Sequence, residues 1–576
     1  MKRYGKIMHN RFFVCALTVL LMVLLVNPFM ARASLTYKST NVYVPKTGYV
    51  NAPVVIATPS SLAEATYDVS GERPAVAMLT VDGELNAISG GAAYGKADAL
   101  SDQWQSGVIP AFRVTDEASA NAAAEFFANG NYVDSFIVAD SKDAALLKQA
   151  RAVATYSRGV VDFSDCSDVT VEQITETVCK NAANVAIVPA GFSSADINRL
   201  RARLITVWKY ADNSSYLSAL YSGVNGIVTA EYSDLYDIYA AQQERVVTRK
   251  ALVSGHRGTA SYPENTINGF MKAYEAGADM FELDLYVSSD GHIVVHHDST
   301  VDRTTNGTGK IEQMTLEQIK ALTIDTHGMR ETIPTLKEVY ETFWGKDIVL
   351  QVEFKSKRDD LVPKLAELTK ECDMMSQVAL FPATYAQAEQ IREYMPEAPS
   401  ALFTGMGYGY GSDYKQLQIQ TAPYNLQCSK REHSLLTFEY TYNLAARGIS
   451  SFVNTITSRS IFDDCSISVG VDCILTDYPE WGSDTSIVYE LTPIIETTEL
   501  GTNFTPKCKV NGTYTVVSCG MERTDGIAVE TDGNGAYCLS EQAEVVFYYD
   551  FSGVITSGGQ KQLVQYRIYS GPVVIE

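Results

Sequence analysis

Met280-Phe281-Glu282-Leu283-Asp284-Leu285-Tyr286 decides the fold. Apolar residues and carboxylates alternate with a period of two, so the segment reads as a strand with Glu282 and Asp284 on one face. Short apolar runs recur on either side: Ala251–Ser254, Ile293–His297, Ile348–Phe354, Val378–Phe381, Ala401–Phe403, Ser451–Val453 and Cys473–Thr476. Helical stretches such as Ile267–Ala276 and Leu361–Glu371 fall between them. Strands alternating with helices predict a (β/α)8 barrel over residues 248–485. Catalytic groups of such barrels gather where the strands end. Here His256-Arg257 follows the first strand, His297-Asp298 ends the third run, and Glu353-Phe354-Lys355 ends the fourth.

Three carboxylates at one barrel mouth repel one another unless a cation sits among them. An all-oxygen donor set favours a hard ion such as Ca2+ or Mg2+. Two histidines suit the two proton transfers of a phosphodiester cleavage, and a guanidinium suits a phosphate oxygen. Taken singly, an i, i+2 acidic pair is most often a solvated strand end, and Asp298 reads equally well as a turn cap. The ordered set His-Arg-Gly, Pro-Glu-Asn-Thr (263–266), Glu-x-Asp and His-Asp is far more specific.

That set resembles the glycerophosphodiester phosphodiesterase family, in HRGTASYPENT, FELDLYVSSDGHIVVHHDSTVDRTTNGTG, IPTLKEVY, VEFK and ILTDYPE, over about residues 250–482. The resemblance implies metal-dependent hydrolysis of glycerophosphodiesters to glycerol phosphate and an alcohol. By position it implies Glu282, Asp284 and Glu353 as metal ligands, His256 and His297 as the general acid/base pair, and Arg257 and Lys355 as phosphate contacts. It also implies a substrate glycerol hydroxyl as nucleophile, through a cyclic phosphate that water then opens. Glu264-Asn265 and Arg303-Thr304-Thr305 are expected to tie the flanking loops, and Asp477 to order the mouth. By alternation His296 faces away and is structural, while His292, His327 and His433 are read as surface or loop residues. Two departures from the family pattern, Phe381-Pro382-Ala383 and Phe452-Val453-Asn454-Thr455, are expected on the substrate side. The short connection from Arg303 to Ile333 leaves no room for a large cap.

Residues 46–245 repeat the alternation, with apolar runs at Val54–Ile56, Ala75–Leu79, Ile109–Phe112, Phe136–Val138, Val160–Phe163, Val185–Val188, Ile205–Trp208 and Gly226–Thr229. They predict a second barrel. Gly223-Val224-Asn225-Gly226-Ile227-Val228-Thr229 resembles Gly470-Val471-Asp472-Cys473-Ile474-Leu475-Thr476, which favours an internal duplication over convergence. Residues 34–255 contain no histidine, and Ala230 stands where the other barrel has Asp477. The first unit therefore cannot run the same acid/base chemistry, and a supporting or substrate-presenting role is the simplest expectation. After residue 490 the helical signal stops. Tyr514–Val517, Gly526–Val529, Glu544–Tyr549 and Leu563–Tyr569, with turns at Asn511-Gly512, Asp532-Gly533 and Ser557-Gly558-Gly559, predict a small Ig-like β-sandwich.

The fold class is thus α/β: two tandem (β/α)8 TIM-type barrels, the second catalytic, followed by a small all-β sandwich. The expected divisions are 1–33, 34–245, 248–485 and 490–576, which suits a length of 576 residues. A net charge of −22 argues against a nucleic-acid binder that works by general electrostatics. Lys2, Arg3, Lys6 and Arg11 precede the apolar run Phe12–Val26, and Ala31-Arg32-Ala33 forms a small-x-small site. That order predicts a signal peptide, or failing cleavage an N-terminal anchor, and a secreted or cell-surface protein. Cys166/Cys179, Cys465/Cys473 and a pair among Cys508, Cys519 and Cys538 are candidate disulfides. The expected substrate is a small glycerophosphodiester or a glycerol-phosphate polymer, with membrane or cell-envelope association left open. The rival readings are a lysophospholipase D acting through the same residues and a non-catalytic envelope-binding protein.

Overall fold

The computed structural model describes residues 37–575, apart from 243–245, 402–413, 432, 483–490, 494–499, 501–502, 505–507, 511–514, 532–535 and 558–559. The export signal expected at 1–33 lies outside these residues, as do Phe403 and most of the turns expected in the C-terminal region. Among the described residues no helix is long and apolar enough to cross a membrane.

In the N-terminal unit eight parallel strands run in sequence: Val54–Ala57, Val76–Val81, Ile109–Arg113, Phe136–Asp140, Arg158–Asp162, Ala183–Val188, Thr206–Tyr210 and Gly226–Thr229. The last pairs with the first, which also pairs with the second, so the sheet closes into a barrel. All eight lie on the runs read from the sequence. Alternation explains the closure. Val54, Ile56, Met78, Ala111, Val138, Val160, Ile187 and Trp208 fill one buried cluster, the interior. Their neighbours Val55, Leu79, Phe112, Ile137, Val161, Ala186 and Val207 pack in another, against the helices.

The second unit orders its parallel strands Val378–Phe381, Val349–Phe354, Met280–Val287, Leu252–Gly255, Cys473–Thr476, Ser450–Ile456 and Cys428–Arg431. Ser400 stands between the two ends of this series. It bridges to Leu380 in parallel sense, and its carbonyl accepts from Gln427 N at 2.7 Å. Two sequence expectations are corrected. Ile293–Val295 is no barrel strand but pairs antiparallel with Met280–Val287, because the tight turn with Gly291 at φ 91° and Ser288 N donating to His292 O at 2.8 Å folds it straight back. Cys428–Arg431, polar and unread, takes a barrel position instead. Leu252, Met280, Val349, Ala379, Phe381, Phe452 and Cys473 form the inner apolar layer. Phe381 and Phe452, expected to line the substrate side, are buried there with ring centroids 5.9 Å apart.

The two units meet through the segments that precede their strands. Asp134 takes a two-pronged ion pair from Arg447, 2.9 Å on each oxygen. Arg203 Nε donates to Ser376 O at 2.7 Å, and Arg158 Nε to Gln418 Oε1 at 2.7 Å. The repeated motifs touch: Asn225 Nδ2 donates to Asp472 Oδ1 at 3.0 Å. Each plays the same part in its own barrel. Asn225 Oδ1 accepts from Val207 N at 3.0 Å and Asp472 Oδ2 from Ser451 N at 2.9 Å. Their carbonyls accept from Val54 N and Leu252 N, both at 2.8 Å. Equivalent residues meeting across an interface are the mark of two-fold docking. Both strand-end mouths therefore face away from the seam.

The described C-terminal residues contain strands, turns and irregular segments but no helix. Ala543–Ser557 pairs antiparallel with Thr515–Arg523, Gln560–Tyr569 and Val573–Ile575. Gly526–Val529, expected as a strand, is irregular; Glu530–Thr531 pairs in its place. The linker strand Val246–Val247 joins this sheet alongside Arg567–Ile568. Among the expected disulfide partners, Cys166, Cys179, Cys465, Cys473, Cys519 and Cys538 are free thiols, while the side chain of Cys508 lies outside the described ones. Cys166 follows a strand end while Cys179 ends the helix Val171–Lys180, about 15 Å long by its rise, so they sit at opposite faces of the barrel. Cys465 and Cys473 belong to different core clusters.

Candidate active site

The strand Met280–Val287 is buried along its whole length. Phe281, Leu283 and Leu285 point into the apolar layer under the helices, which turns Glu282 and Asp284 into the barrel. Strand register sets Glu353 beside Asp284 and Gln351 beside Glu282. Glu282, Asp284 and Glu353 are 1%, 0% and 3% exposed, and their ligand atoms lie within 4.8 Å of one another. The three carboxylates named from the sequence are therefore gathered at one point. Asn265, at φ 56°, fixes Asp284 from both sides. Its Nδ2 donates to Asp284 Oδ2 at 2.8 Å, and Asp284 N donates to Asn265 Oδ1 at 3.2 Å. Asp284 Oδ1 is buried without a hydrogen bond, although Lys355 Nζ lies 3.2 Å away. Lys355 Nζ also donates to Glu353. An all-oxygen, buried trio in which one carboxylate oxygen has no hydrogen bond fits a hard divalent cation.

The charges shape each other. Burial pushes Asp284 up, but Lys355, His297, Arg257 and the Asn265 hydrogen bond outweigh it and leave the carboxyl below its ordinary value. Burial would lower Lys355; Asp284 and Glu353 override it and raise the ammonium pKa.

Two imidazoles stand at this rim, each backed by a carboxylate. His256 Nδ1 donates to Asp477 Oδ1 at 2.6 Å, and His297 Nδ1 to Asp298 Oδ1 at 2.6 Å. A carboxylate only accepts, so the proton sits on Nδ1 and each Nε2 is left for exchange. Asp298 is more than a turn cap, and Asp477 does more than order the loop: they set both tautomers. Arg303 Nε donates to Asp298 Oδ2 at 2.6 Å and holds its carboxyl well below the usual range. The same guanidinium grips Glu264 at 2.8 and 2.6 Å, and Glu264 accepts from Arg257 Nη1 at 3.1 Å. His296 faces the other way, as alternation predicts. Its Nδ1 donates to Asp298 O at 2.8 Å, its Nε2 accepts from Thr304 at 2.9 Å, and burial lowers its pKa.

The His-Arg-Gly loop is tight. Arg257 sits at φ 53° with its N–H donating to Glu282 Oε2 at 3.0 Å. Gly258, at φ 97°, leaves no room for a side chain, since a Cβ would come 2.7 Å from the Gly269 carbonyl carbon. Beside it opens a cleft of about 350 Å3 lined by His256, Arg257, Tyr262, Arg303, Thr326 and His327, among others. The connection from Arg303 to Ile333 is thus no large cap, but its hairpin, Ile324–Thr326 with Met329–Glu331, supplies one wall. His327, read as an ordinary loop residue, stands exposed on that wall. No motif in the sequence marked it.

Residues 256–481 match the model of the glycerophosphoryl diester phosphodiesterase family. A glycerophosphodiester phosphodiesterase of Caldanaerobacter subterraneus is 34% identical over 245 residues, 40% of this chain and 96% of that relative. One from Bacillus altitudinis is 27% identical over 238 residues, 40% of this chain and 95% of its own length. A solved glycerophosphodiester phosphodiesterase structure from Agrobacterium tumefaciens covers 40% of this chain and 98% of that one at 24% identity, with a TM-score of 0.35. The chain belongs to the glycerophosphodiester phosphodiesterase family.

Proposed function

We propose that this protein hydrolyses glycerophosphodiesters to glycerol phosphate and an alcohol, with a divalent cation bound by Glu282, Asp284 and Glu353. The observation that carries the reading is the pair of carboxylate-backed imidazoles beside three buried, mutually close carboxylates. The bound cation would supply charge stabilisation for a phosphate oxygen. Its oxygen donors suit Ca2+ or Mg2+.

This chain's own residues do the rest. Arg257 and Lys355 orient the phosphate and offset the charge that grows on it. One imidazole, neutral at Nε2, takes the proton from the attacking hydroxyl; the other, protonated there, returns one to the departing alkoxide. Asp298 and Asp477 hold each Nδ1 proton in place and favour the imidazolium that each base becomes. A basic, apolar and small-residue order at 1–33 supports export, so the substrate would be met outside the cytoplasm. We read the whole chain as two tandem barrels divided near 245, with a β-sandwich after about 490.

Glycerol phosphate release from glycerophosphocholine or glycerophosphoethanolamine tests the reading, with and without chelator, for wild type and His297→Ala. A loss of about a thousandfold or more is expected for the variant, within the 10²–10⁴-fold scale of a positioned proton carrier. Unchanged turnover rejects the role of His297; no turnover by wild type on any diester favours an envelope-binding protein.

A further inference from the structure

A cavity of about 380 Å3 opens at the seam between the two units, at the end of the second barrel opposite its catalytic mouth. That volume lies within the range of about 300–1,000 Å3 typical of small-molecule sites. Lys148, Arg151 and Lys180 reach it from the N-terminal unit, and Arg392, Ser400 and Asn425 from the second. Four of its wall residues are cations and none of the described ones is a carboxylate. The chain holds 68 acidic residues against 46 basic ones, so a wall drawn at random would lean acidic.

The base of the cavity is as unusual as its rim. Arg151 is 7% exposed, yet among the described residues it forms no ion pair. Its Nε donates to Ser157 O at 2.6 Å, Nη2 to Ala422 O at 2.6 Å, and Nη1 to Asn425 Oδ1 at 3.1 Å and to Ala182 O. Every acceptor is neutral. A buried cation without a counter-charge is costly unless one arrives. Burial, and then the charge of Arg392, pull the Arg151 pKa down to about 9. At the rim Lys180 lies 3.8 and 3.9 Å from Glu176 and Glu397, longer than hydrogen bonds, and Arg392 Nη1 donates to Pro423 O at 2.7 Å. Lys148, Lys180 and Arg392 are all exposed and can turn toward a ligand.

We propose that this seam cavity binds a small phosphate-bearing anion, either inorganic phosphate or the phosphomonoester of a short polyol. Arg151 meets it at the base, and Lys148, Lys180 and Arg392 close over it from both barrels. With four of its five N–H groups already donated, Arg151 contributes mainly unpaired charge at the base, and an anion here would offset cations of both units at once.

Calorimetric titration of the full chain with sn-glycerol 3-phosphate, and separately with inorganic phosphate, tests this. The variants are Lys148→Gln/Arg392→Gln at the rim and Arg257→Gln at the catalytic mouth. Wild type is expected to take up a second equivalent that survives Arg257→Gln. The rim variant should lose it or bind it at least tenfold more weakly, while hydrolysing diesters at the wild-type rate. Glycerol should not compete. Equal affinity for the two anions would identify phosphate itself as the recognised group; tighter binding of the ester would identify the polyol as well. An unchanged isotherm in the rim variant, or loss of all anion binding in Arg257→Gln, overturns the proposal.

Discussion

The two barrels put opposite chemistry at the same place. In the first, Arg113, Asp140, Asp162 and Tyr210 end four strands one inward position beyond the apolar interior. Arg113 bridges both carboxylates, at 2.5 Å to Asp140, and donates to the Tyr210 hydroxyl at 2.7 Å. One guanidinium ties both carboxylates and the hydroxyl together. In the second, Glu282, Asp284 and Glu353 crowd together with an oxygen of Asp284 left without a hydrogen bond. The same architecture can therefore hold its rim charges as a closed clamp or keep them open for a ligand. The difference lies in how the cations sit: in one guanidinium that ties both carboxylates, or as Lys355 and Arg257 beside an Asp284 oxygen that keeps no hydrogen bond.

Matched substitutions break this comparison most directly. Asp284→Asn should lower diester hydrolysis by about a thousandfold or more, because it removes a charged ligand from a buried trio. Asp162→Asn in the first barrel should leave the hydrolysis rate within about twofold, since surroundings away from the chemistry contribute only stability. Equal losses in the two variants would show that the first mouth takes part in turnover.

The seam ranks next. Side chains of Arg447 and Asp134 are 1% and 0% exposed, so Arg447→Ala strands a buried carboxylate. Unfolding in urea should show a loss of about 3–5 kcal/mol, with hydrolysis retained wherever the variant is folded. A loss under about 1 kcal/mol would mean that the first barrel does not hold the second through this contact.

Much of this contrast was legible beforehand. All eight strands of the first barrel follow from apolar runs, and the gathered carboxylates and histidines follow from motifs at strand ends. What escaped did so for physical reasons. Ile293–Val295 is a short all-apolar run, which reads the same whether it pairs parallel in a barrel or antiparallel in a hairpin. Cys428–Arg431 is polar, and Ser400 contributes a single residue, so neither produces an apolar run. The Asn225 and Asp472 motifs suggested a duplication, but nothing in one dimension says that the two copies touch. Asp298 and Asp477 drew weak readings because a carboxylate after a strand is common; only distance to an imidazole makes it an orienting group.

That orienting role is the third test. Asp477→Asn keeps the shape of the side chain but presents an amide that can donate to His256 Nδ1 and favour the wrong tautomer. Hydrolysis should fall on the order of a hundredfold, with kcat affected more than KM and the pH profile displaced. A rise in KM alone, with an unmoved profile, would reduce Asp477 to a loop tie.

The smallest effect concerns acid. Arg303 holds Asp298 and Glu264 below their ordinary values of 3.8 and 4.5, in Asp298 chiefly by its hydrogen bond and in Glu264 against the effect of burial. Carboxyls with depressed folded values stabilise the protein above their unfolded pKa, and that contribution disappears as pH falls through the folded one. Wild type should therefore keep the His297 loop ordered to below about pH 4. Arg303→Gln removes the common partner, so both carboxyls should protonate nearer their ordinary values and the acid midpoint of unfolding should move upward. The first barrel supplies the control. Arg113→Gln likewise takes the guanidinium from Asp140 and Asp162, yet it should leave the pH dependence of hydrolysis at neutral pH untouched, because none of those groups reaches an imidazole.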